Sequence, residues 1–123
     1  MRNITYTLLL SLLVGCYSIE RNCNDFKTGT FKSSIVINNK VYKSQFTRTS
    51  SLQTETFEEK TDSSSVRWIN DCEVVFKTIN PKNRAERKDI HLKILTTTDS
   101  SYTFEYSYVG EVNKQRGVAV KIK

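Results

Sequence analysis

The most reactive side chains in this 123-residue chain are three cysteines, Cys16, Cys23 and Cys72. A cysteine thiolate can bind a metal, form a disulfide or accept a covalent modification. A structural zinc site needs four ligands at close spacing, and His91 is the only histidine in the chain. We therefore predict no metal site and no cofactor, and we consider covalent roles for the three thiols.

Cys16 follows an N-terminal segment that has the order of an export signal. A positive charge at Arg2 precedes an apolar run over residues 5–15. This order is typical of a secretory signal peptide, and eleven residues are too few to cross a bilayer, which takes about 20. The tetrapeptide at residues 13–16, Leu-Val-Gly-Cys, resembles the lipobox of bacterial lipoproteins. The resemblance implies that Cys16 carries a lipid and becomes the first residue of the mature chain.

Lipid attachment at Cys16 would leave Cys23 and Cys72 as an even pair. Exported proteins fold in an oxidising environment, where such a pair can form a disulfide. A bridge that closes a loop of about 48 residues would contribute roughly 4 kcal/mol in the chain-entropy estimate. The alternative is two free, buried thiols.

Residues suited to catalysis are sparse. Nucleophilic catalysis needs a nucleophile, a base and an orienting group, but His91 lies on the strand face opposite Ile90 and Leu92. Glu58 and Glu59 could form a carboxylate pair for glycoside hydrolysis, but neighbouring strand residues point to opposite faces. Four scattered glycines form no phosphate-binding loop. We therefore predict no catalytic residues and no enzyme.

Two groups of residues are suited to binding. Lys82, Arg84 and Arg87 belong to a basic segment that could hold a lipid headgroup, a glycan or an acidic protein; the alternative is a solvated charged loop. Trp68 could form the floor of a hydrophobic pocket at a barrel mouth, with Arg67 or Asp71 orienting the ligand. The alternative for Trp68 is a core tryptophan beside a disulfide.

From residue 29 onward the sequence alternates apolar and polar side chains in about eight short segments separated by turn signals. This pattern predicts an all-β domain, an antiparallel meander that closes into a small up-and-down barrel or stays a curved sheet. We expect a third strand within residues 49–60, a loop at 61–65, and a last strand formed by Val118, Val120 and Ile122. Six bulky side chains could fill the interior by themselves: Trp68, Phe76, Leu92, Phe104, Tyr106 and Tyr108.

The chain therefore divides into three predicted parts. Residues 1–15 form the signal peptide, residues 16–28 the lipidated N-terminus with a short tether, and residues 29–123 a single β domain.

Three stretches of the chain are similar to a family of small, uncharacterised bacterial lipoproteins. They are residues 20–29 (ERNCNDFKTG), residues 66–73 (VRWINDCE) and residues 80–86 (NPKNRAE). Some members carry the name DNA topoisomerase IV, but DNA strand passage needs gates that a β domain of this size cannot supply. The family has no established activity to transfer. The segment from Trp68 to Cys72 also resembles lipocalin-like periplasmic domains, at the level of the fold.

These observations predict a lipid-anchored, monomeric β domain of the bacterial cell envelope that acts as an interaction or structural module. The alternative is a lipocalin-like carrier of a small apolar ligand. The net charge of +6 suits an envelope protein or an anionic surface as partner, and we predict no nucleic-acid partner. Tyr17 and Ser18 differ from the aspartate that retains some lipoproteins in the inner membrane, which favours the outer membrane. An open apolar cavity of roughly 300 Å³ or more would favour the carrier.

Overall fold

The computed structural model describes residues 20–123. Eight strands follow one another in the chain: β1 (Gly29–Ile37), β2 (Lys40–Arg48), β3 (Leu52–Phe57), β4 (Lys60–Asn70), β5 (Glu73–Thr78), β6 (Ile90–Thr97), β7 (Ser101–Tyr108) and β8 (Gln115–Lys121). Two short 3-10 turns, Cys23–Phe26 and Ala85–Arg87, precede β1 and β6. The predicted signal peptide and Cys16 lie outside the described residues.

The eight strands form a closed antiparallel barrel. Each strand pairs with its neighbour in the chain, and β8 pairs back onto β1, with Ile35 opposite Gly117. Closure gives every strand two partners and so avoids the exposed sheet edge that invites aggregation. The all-β prediction is confirmed, and of its two forms the chain adopts the barrel.

The two ends of the barrel differ. At the end where β1 begins, here called the closed end, the Cys23–Phe26 turn packs inside the barrel. Phe26 is fully buried, with its ring centroid 5.3 Å from that of Tyr102. Because the chain reverses at every turn, the connection at residues 79–89 between β5 and β6 lies at the opposite end, the open end. We call residues 79–89 the basic loop.

The N-terminal boundary of the β domain differs from the predicted one at residue 29. Residues 23–26, which the sequence assigns to a tether, belong to the packed interior because Cys23 and Phe26 are buried. Among residues 20–123, no helix has the length and apolar character needed to cross a bilayer.

The β3–β4 hairpin lies where the sequence predicts a longer strand and a loop. Residues 61–65 are part of β4, so the predicted loop is wrong. The chain turns instead at Glu58 and Glu59, whose φ angles of 47° and 67° give the twist of a two-residue hairpin turn. The hydroxyl oxygens of Thr56 and Thr61 lie 3.1 Å apart across the strands. Such cross-strand pairs allow a polar segment to form a stable strand.

The last strand, β8, does not turn its apolar side chains toward the interior, as the burial of apolar residues would predict. Val118 and Val120 are exposed, while Gly117 and Ala119 point into the barrel. A Cβ atom added to Gly117 would lie 2.7 Å from the ring of Phe104. The bulky side chains of β7 occupy the interior, so β8 can turn only its small residues inward.

Candidate ligand-binding site

The barrel interior contains a cavity of about 270 Å³ that extends from the centre to the open end. β3 and β4 line it with polar side chains only, whereas β6 and β7 line it with apolar and aromatic ones. The polar lining residues are Ser33, Arg48, Gln53, Glu55, Asp62, Ser64, Thr78 and Glu86. The apolar and aromatic lining residues are Ile35, Phe46, Phe76, Ile90, Leu92, Tyr102, Phe104 and Tyr106.

The cavity is amphiphilic rather than apolar. Its volume lies just under the range of roughly 300–1,000 Å³ that is usual for small-molecule sites. β3 lies opposite β7 in a closed barrel with this strand order. A molecule in the cavity would therefore meet hydrogen-bonding groups on one side and apolar groups on the other.

The floor of the cavity is Arg48, the last residue of β2, which is only 2% exposed. Its Nε donates to Oε1 of Gln53 (2.8 Å), its Nη1 to the carbonyl oxygen of Phe26 (3.1 Å) and its Nη2 to the Tyr102 hydroxyl (2.9 Å). All three acceptors are neutral. Within residues 20–123 no carboxylate oxygen lies within 4.0 Å of the guanidinium.

Aromatic rings surround the Arg48 guanidinium. The ring centroids lie 5.0–5.6 Å from its Cζ atom and belong to Phe31, Phe46, Trp68 and Phe76. Cation–π attraction of about 0.5–2 kcal/mol per favourable ring offsets part of the lost hydration. Arg48 is therefore a buried cation that neutral groups hold in place.

Glu55 provides a carboxyl group on the polar wall. Ser44 Oγ donates to its Oε2 at 3.2 Å, and the Ser33 and Ser44 hydroxyl oxygens are 2.7 Å apart. Burial raises the pKa of Glu55 above its usual range, the charge of Asp62 raises it further, and the Ser44 hydrogen bond opposes both. The protonated form of Glu55 is therefore more populated than that of an exposed glutamate.

Two tyrosines complete the lining near these groups. Burial raises the pKa of Tyr102, although Arg48 opposes the increase. Burial, together with Glu55 and Tyr108, also raises the pKa of Tyr106. Both phenols are therefore neutral at physiological pH and can donate a hydrogen bond.

The predicted pair Cys23 and Cys72 forms a disulfide, with an S–S distance of 2.08 Å. The bridge ties the Cys23–Phe26 turn to the β4–β5 connection at the closed end. This confirms the disulfide over the alternative of two free thiols.

Trp68 lies at the closed end with the disulfide and does not border the cavity. It packs against the buried core, and Lys27 Nζ lies 5.2 Å from its ring centroid. Asp71 is exposed and pairs with Lys27 at 3.4 Å. The structure therefore brings Trp68 and Asp71 close to Lys27, away from the open end of the barrel.

The predicted basic residues Lys82, Arg84 and Arg87 are exposed on the basic loop. Glu86 of the same loop borders the cavity and accepts a hydrogen bond from the backbone N–H of Lys82. The basic side chains thus stand at the open end, far from Trp68. Among residues 20–123 no three His, Cys, Asp or Glu side chains are grouped to hold a metal ion.

Sequence reasoning missed Arg48 and Glu55. Arg48 follows Phe46 at the strand period of two, so the alternation alone places it on the inward face. Glu55 shares its face with Phe57 for the same reason. The alternation therefore places both side chains on the inward face. Because charged residues are rarely fully buried, this pattern is easily discounted for them.

Comparison of the chain with protein-family models, with curated proteins and with solved structures finds no match. The fold and the site define a small up-and-down β-barrel with an amphiphilic internal cavity.

Proposed function

We propose that the protein binds a small amphiphilic molecule inside its barrel. The supporting observation is the cavity, which has a polar wall, an apolar wall, a buried cation at Arg48 and a partly buried carboxyl group at Glu55. An unfilled cavity loses packing energy, and buried charges lose hydration. A domain that used only its outer surface would gain stability from an apolar, filled interior.

The interaction module, ranked first from the sequence alone, becomes the second candidate. Its residues Lys82, Arg84 and Arg87 are solvated on the basic loop, and exposed charges alone are weak evidence for a partner.

The proposal includes a lipid anchor at Cys16 in the bacterial cell envelope, with the outer membrane preferred. Glu20, the first described residue, precedes the closed end of the barrel. An anchor only four residues before Glu20 would hold the closed end next to the bilayer. The open end and the basic loop would then face away from that membrane, so ligand exchange would occur with the aqueous compartment.

The anchor predicts a specific mature N-terminus. Mass spectrometry of the membrane fraction should find acylated Cys16 as the first residue, and the Cys16→Ser variant should leave that fraction. An unmodified N-terminus at another position would contradict the anchor.

Filling the cavity should weaken binding. Ser64 points into the cavity, whereas its neighbour Ser65 is exposed on the outer face. We expect Ser64→Phe to bind 1-naphthol, a small neutral amphiphile, at least about tenfold more weakly than wild type, since a blocked site loses more than about 1.4 kcal/mol of contact. Ser65→Phe is the matched control and should bind like wild type. Fluorescence titration measures both.

Two results would count against the site. Equal binding by Ser64→Phe and wild type would place the probe elsewhere. No binding by wild type would return the interaction module to first place.

A further inference from the structure

We propose that the ligand carries a single carboxylate that binds Arg48 and the Tyr102 hydroxyl at the floor of the cavity. This inference rests on the proposed function and names the chemistry of its ligand.

Arg48 has unused hydrogen-bonding capacity. A guanidinium has five N–H groups, and three of them donate to neutral acceptors at 2.8–3.1 Å. The remaining two have no acceptor among residues 20–123. Burying a cation without a counter-ion is costly, and a carboxylate is the partner that best matches the guanidinium. A ligand anion would therefore pair with a cation that already lost its hydration when the protein folded.

The Tyr102 hydroxyl can also donate a hydrogen bond to the ligand. Its oxygen accepts from Arg48 Nη2, while its own hydrogen has no acceptor among the described residues. Arg48 and Tyr102 can thus donate to the same head group. Arg48 is also the only cationic side chain among the described residues that line the cavity. One cation balances a monoanion, so a carboxylate fits better than a doubly charged phosphate.

The acidic groups that face the cavity are Glu55, Asp62 and Glu86. Asp62 is exposed at the open end, and Glu86 is flanked by the cations of the basic loop, so solvent and those cations weaken their repulsion. Glu55 is partly buried, and its neighbours Tyr102 and Tyr106 are neutral. Because its pKa is raised, Glu55 can take up a proton when an anion enters and so avoids repelling it.

The apolar wall determines the rest of the ligand. Ile90, Leu92 and Phe104 face the cavity on the side opposite Glu55. A volume of 270 Å³ corresponds to roughly nine liquid waters at about 30 Å³ each. This space suits a monocarboxylate with a short apolar body.

A head-group series in wild-type protein tests the inference. Octanoate, 1-octanol and octylamine share one chain length and differ in charge. Calorimetric titration at neutral pH should show octanoate binding about ten- to a hundredfold tighter than the other two, as one buried charge-assisted contact allows. If 1-octanol or octylamine binds as tightly as octanoate, the carboxylate inference is wrong but the proposed function stands. If none of the three binds although 1-naphthol does, the carboxylate inference is wrong and the proposed function stands. If 1-naphthol does not bind either, both fail.

Substitution of Arg48 should remove the preference for the anion. Arg48→Gln is expected to bind octanoate and 1-octanol about equally, because the cation is gone and the apolar wall is intact. Arg67→Gln, which changes an exposed arginine on the outer face of β4, is the matched control and should keep the preference. Circular dichroism checks the fold; if Arg48→Gln does not fold, the wild-type series still decides the question.

If Glu55 takes up a proton when an anion binds, anion affinity should depend on pH. A purely structural role of Glu55 would not produce this dependence. Hexanesulfonate stays ionised, so any pH dependence of its binding comes from the protein. Wild type should bind it more tightly as pH falls, since the raised pKa of Glu55 makes its carboxyl group neutral at a higher pH than an exposed glutamate, and Glu55→Gln should lose most of this dependence. His91, which pairs with Glu73 on the outer wall, is present in both proteins. An equal slope in both proteins would overturn the role of Glu55.

Stability provides the control for Glu55→Gln. A carboxyl group with a raised folded-state pKa contributes stability that is present at low pH and is lost as pH rises through that pKa. Glu55→Gln should therefore be more stable than wild type at neutral pH, and the difference should vanish near pH 4. If Glu55→Gln is at least as stable as wild type, a loss of pH-dependent binding in this variant cannot be attributed to unfolding.

Discussion

Removing the Cys23–Cys72 disulfide is expected to cost about 4 kcal/mol of unfolding free energy. The bridge joins residues 49 positions apart, so it restricts a long loop in the unfolded chain. It also holds the Cys23–Phe26 turn inside the closed end. The Cys23→Ala/Cys72→Ala variant should show this loss in urea denaturation followed by circular dichroism, because it leaves Cys16 as the one cysteine and no second bridge can form within the chain.

A reducing agent is the matched control for this prediction. It should lower the stability of wild type to about that of the double variant and leave the double variant unchanged. A loss under about 1 kcal/mol would mean that packing alone holds the Cys23–Phe26 turn, and that the bridge contributes far less than the chain-entropy estimate.

The barrel could be predicted from the sequence because each strand carries its own evidence. In β7, Tyr102, Phe104 and Tyr106 alternate with polar residues, and all three lie on the inward face. In β8 one face carries small residues and the other carries apolar ones, so the alternation does not determine which face points into the barrel. Gly117 lies inside only because Phe104 occupies the space that a larger side chain would need. Packing between strands, which no single segment encodes, decides that face.

The candidate site could not be predicted because its partners are distant in the chain. Arg48 bonds to Phe26 and Tyr102, which are 22 and 54 residues away. The alternation places Arg48 on the inward face, but local sequence does not show that groups from six other elements will enclose it, namely the Cys23–Phe26 turn, β1, β3, β4, β5 and β7. Trp68, by contrast, is of a residue type that is common in binding sites, but it lies beside the disulfide. Its position matches the alternative prediction of a core tryptophan.

Phe26→Ala is expected to lower the free energy of unfolding by about 3–5 kcal/mol. Phe26 is 0% exposed, and its ring centroid lies 6.5 Å from that of Phe31 and 5.3 Å from that of Tyr102. Deleting the ring leaves a cavity that the disulfide-bonded turn cannot close. The same variant also loosens the residue whose carbonyl oxygen accepts from Arg48, so octanoate affinity should fall with stability.

Asn24→Ala separates this effect from a general disturbance of the turn. Asn24 is exposed in the same Cys23–Phe26 turn, and an exposed substitution usually changes stability by less than about 0.5 kcal/mol. Urea denaturation of both variants compares them directly. A flexible tether over residues 16–28 would make Phe26→Ala as mild as Asn24→Ala, whereas a large difference would establish that the folded domain begins before β1. The floor of the cavity would then depend on a segment that the strand pattern alone leaves outside the barrel.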